Sequence, residues 1–485
     1  MKNTGLQRPA LLLSVGLLLS GCMVGPDHVR PDVPLPARFA ATQADQPAAA
    51  IARGWWKLFE DDTLNALVDR ALVENSDVQR AVARIEQADA LLREVGAALF
   101  PDVGLDAAAS RSRISGVGSP IPAGAPLYRN NFQTAISTSF EIDFWGKLRR
   151  ASEAARAQAL GTRYAKDTVE LTLVSQLVGN YLNLRALDAQ LALSRDTLGT
   201  RRDNAGILRT RTARGLSTEL ELQQSLGAVA AIEAQIADLE RSRAIAENQL
   251  GLLSGQLDLN IAPGDLRSLP LPLQPPAGLP SSLLDARPDI RQAEAELASS
   301  SAQIGVAKAA LYPSISLTGN YGSQSRELSD LFTGPANIWS LGIGLDLPLF
   351  DAGRRSARVD QATAQQKQAL AAYVSTVRGA FTDVRDALVA GTQYAQSVSA
   401  LQAQTDAARR SLELAQKRYD AGYSPYLEVL DAQRSANDAS LALVRARQAQ
   451  LAEAVNLYVA LGGGWGGAQV EPAPDVPEAV VPATP

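Results

Sequence analysis

The residues able to carry out chemistry are few and lie far apart along the chain. The 485 residues include one His and one Cys, which excludes an internal disulfide and any metal site built from several of these side chains. His28 lies in a Pro-rich leader, where it gives a Ser-His-Asp triad no credible base. With only 2 Met residues, the sequence gives no support for a series of methionine sites that would pass soft metal ions along the protein.

Glycine-rich and acidic motifs indicate structure rather than catalysis. Gly342-Ile343-Gly344 follows a strand pattern and residues 462–467 follow a helix end, so neither has the context of a phosphate loop. Asp61 and Asp62 open an amphipathic segment, where we expect them to be capping or solvated charges. We therefore predict that the chain is not an enzyme and has no cofactor and no metal. The formal net charge of -5 argues against a nucleic-acid partner.

The first 22 residues predict a lipid anchor. Lys2 and Arg8 form a basic region before an apolar run, residues 11–19, that is too short to span a bilayer. The run ends in Leu19-Ser20-Gly21-Cys22, which resembles the bacterial lipobox. We predict cleavage before Cys22 and covalent lipid on its thiol; the alternative is a buried free Cys behind an ordinary signal peptide. Met23, where inner-membrane lipoproteins carry Asp, points to the outer membrane.

The body of the chain contains an internal duplication. Landmarks in one half recur in the other at an offset of 212, which becomes 207 after one shortening between Pro313 and Gly353. Each half reads as a helix, two strands, a very long helix, a turn and a long helix. The matched segments are Asp77–Pro101 with Asp289–Pro313, Phe144–Lys147 with Asp351–Arg354, Arg214–Ser217 with Ala421–Ser424, and Ser254-Gly255 with Leu461-Gly462.

Side chains in the strands alternate between apolar and polar. The alternation is clear over residues 132–143, 314–321 and 339–347 and weaker over 102–113. Period two over about 10 residues fits a tilted transmembrane strand, although a half-buried strand of a soluble sheet has the same pattern. Four strands cannot close a barrel, since the smallest common barrels have about eight. If these strands cross a membrane, several chains must share one barrel.

Two uninterrupted helices follow the strands, from Lys147 to about Ala213 and from Arg354 to about Ala421. The first would form a rod of roughly 100 Å. An apolar stripe that includes Leu171, Val174 and Tyr181 is expected to be packing surface. Gly215 and Gly422 are predicted to form the turns at the rod tips, with Ser217 and Ser424-Pro425 restarting the return helices.

The predicted organisation is therefore as follows: 1–21, signal peptide; 22–54, extended lipidated segment; 55–262, first repeat; 263–287, Pro-rich connector; 288–466, second repeat; 467–485, disordered tail.

Several motifs, which occur in the same order along the chain, resemble those of the outer-membrane efflux lipoproteins, the OprM-like branch of the TolC superfamily. The resemblance covers about residues 20–467. The motifs are Trp55–Phe59, Glu141–Lys147, Pro348–Arg354, Tyr419–Tyr423, Leu430–Arg434 and Leu457–Trp465. The resemblance implies an α+β membrane protein. Three chains with four strands each would form a trimeric 12-stranded transmembrane β-barrel, continuous with a long periplasmic α-helical barrel.

The resemblance also implies a function. The chain would be the outer-membrane exit channel of a tripartite pump, working with a periplasmic adaptor and an inner-membrane transporter of the resistance-nodulation-division (RND) type. That transporter would supply the energy, and small molecules would pass passively from the periplasm to the exterior. Two alternatives stay open: a conduit for type I protein or polysaccharide secretion, and a periplasmic coiled-coil lipoprotein that forms no channel.

In this family the periplasmic end of the tunnel is constricted near the rod tips. The resemblance places a gate at Leu412, Gln416, Arg418, Tyr419 and Asp420, facing the first-half tip near Thr210, Arg214 and Gly215. As a hypothesis, Arg418 and Asp420 join polar links between rods that hold the tunnel shut. The alternative is an exposed charged tip with no part in gating. Gln416 stands where some relatives carry an acid, which makes an acidic ring doubtful.

Overall fold

The computed structural model describes residues 23–36, 39, 51–115, 117, 126–273 and 283–465. The predicted signal peptide, Cys22 and the predicted tail at 467–485 lie outside the described residues, as does part of the connector. The main elements are α1 (Asp62–Glu74), α2 (Ser76–Ala97), β1 (Asp102–Arg113), β2 (Tyr128–Ile142), α3 (Lys147–Ala213), α4 (Glu219–Ser254), α5 (Pro288–Ala309), β3 (Ser314–Ser325), β4 (Asn337–Asp346), α6 (Arg354–Asp420) and α7 (Tyr426–Ala460).

The duplicated element order is confirmed, and local sequence explains where the elements begin. Asn75 caps α2 by accepting a hydrogen bond from the Asp77 backbone N–H, and Pro288 occupies the first turn of α5. The two rods, α3 and α6, have 67 residues each. Among the described residues, no helix combines the length and apolar character needed to cross a membrane. The first repeat also carries α1 and a short 3-10 helix, Trp55–Phe59.

The four strands form one antiparallel sheet in the order β1-β2-β3-β4. Its register places apolar side chains from different strands in rows on one face, with Leu105 opposite Ile136, Ile136 opposite Tyr321, and Tyr321 opposite Trp339. Trp339 is 76% exposed and Leu341 81% exposed, so this face has no partner within the described chain. The other face carries polar and small residues such as Ser137, Asn320 and Ser340. The predicted alternation is therefore confirmed as a two-faced sheet.

Helix α3 is the helix against which α1, α2, α4, α5 and α7 pack, whereas α6 packs on α5 and α7. The middle of α3, including Val174, Tyr181 and Leu184, is fully buried, which confirms the predicted packing stripe. This stretch meets Trp55, Trp56 and Trp465 in the largest hydrophobic cluster. The segment that precedes α1 and the segment that follows α7 therefore both pack against the middle of α3. A second cluster joins α5, α6 and α7.

The N-terminal strap, residues 23–36, has no regular secondary structure and fastens the two repeats together. Its Val24 N–H donates to the Trp145 carbonyl at 3.2 Å, and Asp27 pairs with the buried Arg150 at 2.7 Å. Further along, Arg30 pairs with Glu294 of α5 at 2.7 Å. The strap is therefore bound along the start of α3 and the face of α5.

Candidate functional site: the hairpin tips

Both rods end in the same kind of turn, at the tip of each α-hairpin. After α3, the Leu216 N–H donates to the Arg211 carbonyl at 2.8 Å; after α6, the Tyr423 N–H donates to the Arg418 carbonyl at 2.9 Å. Gly215 and Gly422 have φ of 72° and 77°, values that residues with a Cβ rarely adopt. The predicted turn glycines are confirmed as left-handed C′ residues of paired Schellman motifs.

The return helices start differently from each other. Thr218, one residue beyond the predicted Ser217, caps α4 by accepting from the Glu221 N–H at 3.3 Å, and Glu221 accepts from the Thr218 N–H at 3.0 Å. The Ser217 hydroxyl also donates to the Glu221 carboxylate. Hydrogen bonds from Ser217 and from the Thr218 backbone lower the pKa of Glu221. Pro425 precedes α7 and has no side-chain cap.

The two hairpins meet through an apolar cluster just above the turns, which we call the tip cluster. Its buried members come from α3, α6 and α7: Leu208, Ala415, Tyr426 and Val429, with Leu222, Leu412, Tyr419, Leu430 and Ala432 packed around them. Tyr419 and Tyr426 contact edge to face at 5.5 Å between ring centroids. Arg211 lies over the Tyr419 ring at 5.9 Å, joining the first tip to the second.

The polar contacts of Arg418 and Asp420 stay within the second hairpin, whereas the Tyr426 hydroxyl lies 3.5 Å from the Ser225 hydroxyl of α4. Arg418 pairs with Glu428 at 3.1 Å, between α6 and α7, and both side chains are exposed. Gln416 donates to Asp420 at 3.2 Å along one face of α6. Within the described chain, Arg418 and Asp420 therefore form no link to α3. The hypothesis of polar links between rods gains no support from these contacts.

The structure brings together only part of the gate predicted from the resemblance. Leu412 and Tyr419 join the tip cluster, whereas Thr210 and Arg214 are exposed and Thr210 donates back to the Gly206 carbonyl. These contacts give no support for a place of Thr210 and Arg214 opposite the second hairpin, so that part of the gate stays a prediction. The residues of α3 that meet the second hairpin are Leu208 and Arg211, which lie one turn apart on the same side of α3.

Helical spacing could have found some of the missed residues. Leu412, Ala415 and Tyr419 recur at intervals of three and four along α6, and Tyr426, Val429 and Leu430 do so along α7. Leu208 follows the same rule relative to Ala205, which is also buried. The resemblance placed the gate at Leu412 and Tyr419 of this set and omitted Leu208, Ala415, Tyr426 and Val429.

Residues 67–256 and 279–463 match the family described as "Outer membrane efflux protein". The chain belongs to this family. The two matched ranges correspond closely to the two structural repeats, and the family resemblance seen in the sequence motifs is confirmed.

Relatives and a solved structure place this family member among efflux channels. It is 34% identical to the cation efflux system protein CusC of Escherichia coli O6:H1 over 93% of this chain and 97% of that protein. It is 35% identical to the solvent efflux pump outer membrane protein SrpC of Pseudomonas putida, with the same coverage. The open state of the MtrE outer membrane channel of Neisseria gonorrhoeae superposes with a TM-score of 0.82, at 30% identity, covering 92% of this chain and 99% of that one.

The mixed α and β fold is that of outer-membrane channels, and the chain is an outer-membrane efflux protein that extends into the periplasm. Its relatives are channel proteins rather than enzymes. Across the part of the chain that the structure describes, no three His, Cys, Asp or Glu side chains are grouped so that they could hold a metal ion.

We expect the first tip to loosen in acid because of Glu221. Its folded pKa is depressed below the ordinary value of 4.5, so its stabilising hydrogen bonds are present above that pH and are lost as pH falls through the folded pKa. Amide hydrogen exchange of residues 218–221 should accelerate over that window. Glu221→Gln should remove the pH dependence, whereas Glu219→Gln, on the same turn, should keep it. An unchanged pH profile in Glu221→Gln would show that another group is responsible.

Proposed function

We propose that three copies of this chain form the outer-membrane exit channel of a tripartite efflux pump of the RND type. Each copy contributes four strands to one 12-stranded barrel and two helical hairpins to a periplasmic tunnel. The observation that carries the proposal is the sheet: one face is apolar and exposed, and within the described residues the outer edges of β1 and β4 have no strand partner. Lipid cannot satisfy open backbone edges, so neighbouring copies must pair them.

The partners of this channel are a periplasmic adaptor and an inner-membrane RND transporter. The long hairpins end in exposed apolar residues, with Leu216 74% exposed and Tyr423 80% exposed. Such residues at a periplasmic tip suit contact with another protein. The transporter supplies the energy and the duct conducts passively.

The cargo is a range of small molecules rather than one compound. The chain is as similar to a channel named for cation efflux as to one named for solvent efflux, at 34% and 35% identity. A channel wall that serves such different solutes does little selection, so we assign selection to the transporter. The same similarities favour small-molecule efflux over protein or polysaccharide secretion, and the sheet and the family match argue against a coiled-coil lipoprotein without a channel.

Deleting the gene should raise the sensitivity of its host several-fold to a subset of a panel of drugs, solvents and metal ions, because these solutes lose their exit. Complementation should restore resistance, and the purified trimer should conduct ions in planar bilayers. Unchanged sensitivity across the whole panel, combined with loss of a secreted protein or polysaccharide, would instead establish the secretion alternative.

We also propose that Cys22 carries the lipid anchor of this channel, next to the strap that binds Arg150. Labelled palmitate should be incorporated into the wild-type chain and not into Cys22→Ala. Equal labelling of both chains would contradict the assignment.

The tip cluster is proposed as the closing element of the channel, and adaptor binding would bias the hairpins toward an open arrangement. Leu208 is 2% exposed between the hairpins. Truncating such a buried Leu to Ala removes about 2–5 kcal/mol of packing, whereas an exposed ion pair such as Arg418–Glu428 contributes about 0–1 kcal/mol.

Leu208→Ala should therefore raise the open probability of single channels strongly. Arg418→Ala and Asp420→Ala should change it little. Leu220→Ala, at a 66% exposed position of the same hairpin, is the matched control and should behave like the wild type. If Arg418→Ala opens the channel more than Leu208→Ala does, polar links rather than apolar packing hold the tip closed.

A further inference from the structure

Helix α3 carries three buried arginines, and only one of them lacks a carboxylate partner. Arg150, Arg185 and Arg201 are 2%, 6% and 7% exposed. Arg150 pairs with Asp27 at 2.7 Å and with Glu153 at 2.8 Å, and Arg185 pairs with Asp188 at 3.2 Å. Arg201, the one nearest the tip, is in ion-pair contact with no Asp or Glu of the described chain.

Arg201 is held instead by a single backbone acceptor. Its Nη1 donates to the Ala228 carbonyl of α4 at 2.8 Å. Its Nε is buried and, within the described residues, has no hydrogen-bond acceptor. Burial lowers the pKa of Arg201, with Tyr426 and Asp438 opposing the effect only in part. A buried charge without a counter-ion costs free energy, because the hydration it had in water is not replaced.

The residue that the helix register places opposite Arg201 also has a polar atom without a hydrogen-bond partner in the described structure. Arg201 precedes Leu208 by seven residues and Gln433 follows Tyr426 by seven, on antiparallel helices that meet at Leu208 and Tyr426 in the tip cluster. Four residues further from the tip, Thr197 donates to Asn437 at 3.4 Å. This register places Arg201 opposite Gln433, whose Oε1 is buried without a donor in the described structure.

We propose that Arg201 is a built-in opening element of the tip. Its uncompensated charge destabilises the packed arrangement of the two hairpins, and the cost is relieved when they part and water reaches the guanidinium. The tip cluster below it favours closure, so the two opposing contributions keep the gate close to balance. A partner that binds the tip then needs little interaction energy to open it. This inference rests on the proposed function, since it requires a tip that opens.

Two chemically opposite substitutions should have the same effect. Arg201→Met removes the buried charge and keeps most of the volume, and Gln433→Glu supplies the missing carboxylate. Each should raise the melting temperature of the purified trimer and lower the open probability of single channels in planar bilayers. We expect about a tenfold fall in open probability, which corresponds to about 1.4 kcal/mol.

Two neighbouring arginines provide matched controls. Arg202→Met removes an exposed charge that pairs with Glu233 at 2.6 Å and should change neither quantity. Arg185→Met removes a partner of the buried Asp188 and should lower the melting temperature.

The proposal is overturned if Arg201→Met lowers the melting temperature, as loss of a structural hydrogen bond would, or raises it without changing the open probability. Should Gln433→Glu fail to fold, Arg201→Met alone still decides. Absence of any conductance in the wild-type trimer would count against the proposed function itself, whereas a conducting wild type with unaltered variants would count against Arg201 alone.

Discussion

The rest of the structure depends on one physical constraint: within one chain, the four-stranded sheet can neither bury its apolar face nor pair the hydrogen-bonding groups of its two edges. Its apolar face needs lipid or protein, and its two edges need hydrogen-bond partners, which lipid does not provide. Burial of Trp339 and Leu341 therefore requires something outside the described chain. The internal duplication doubles the strands to four without closing them, so assembly with further copies is built into the fold that we propose.

In the helical part, contacts along only part of their length hold the two rods of 67 residues in place. The middle of α3 is fastened by a large aromatic and aliphatic cluster and by paired buried charges, while the strap ties its start to the second repeat. Toward the tip the packing thins to the small cluster around Leu208 and Tyr426. The hairpins are therefore held firmly where they join the rest of the molecule and weakly where we propose the gate.

The two turns at the hairpin tips show which features can be predicted from local sequence and which cannot. Gly215 and Gly422 could be predicted because a left-handed C′ residue is a local backbone requirement. The partners of Arg418 and Arg211 could not, because they depend on which side of a long helix faces a neighbour. A helix turns by about 100° per residue, so Thr210, two residues beyond Leu208, lies on nearly the opposite side of α3. The predicted gate therefore included Leu412 and Tyr419 of the apolar contact that joins the hairpins but not Leu208, which meets them from α3.

The sequence by itself determined the duplication, the extent of the two rods, the alternation of the strands and the membership of a channel family. All of these are periodic or local, so each stretch of chain specifies them without its neighbours. Only the tertiary structure decided that Leu208 rather than Thr210 meets the second hairpin, and that Arg201, unlike Arg150 and Arg185, is buried without a carboxylate. Burial and ion pairing join residues far apart in sequence, so their energies are set by the packing of the helices rather than by the residues alone.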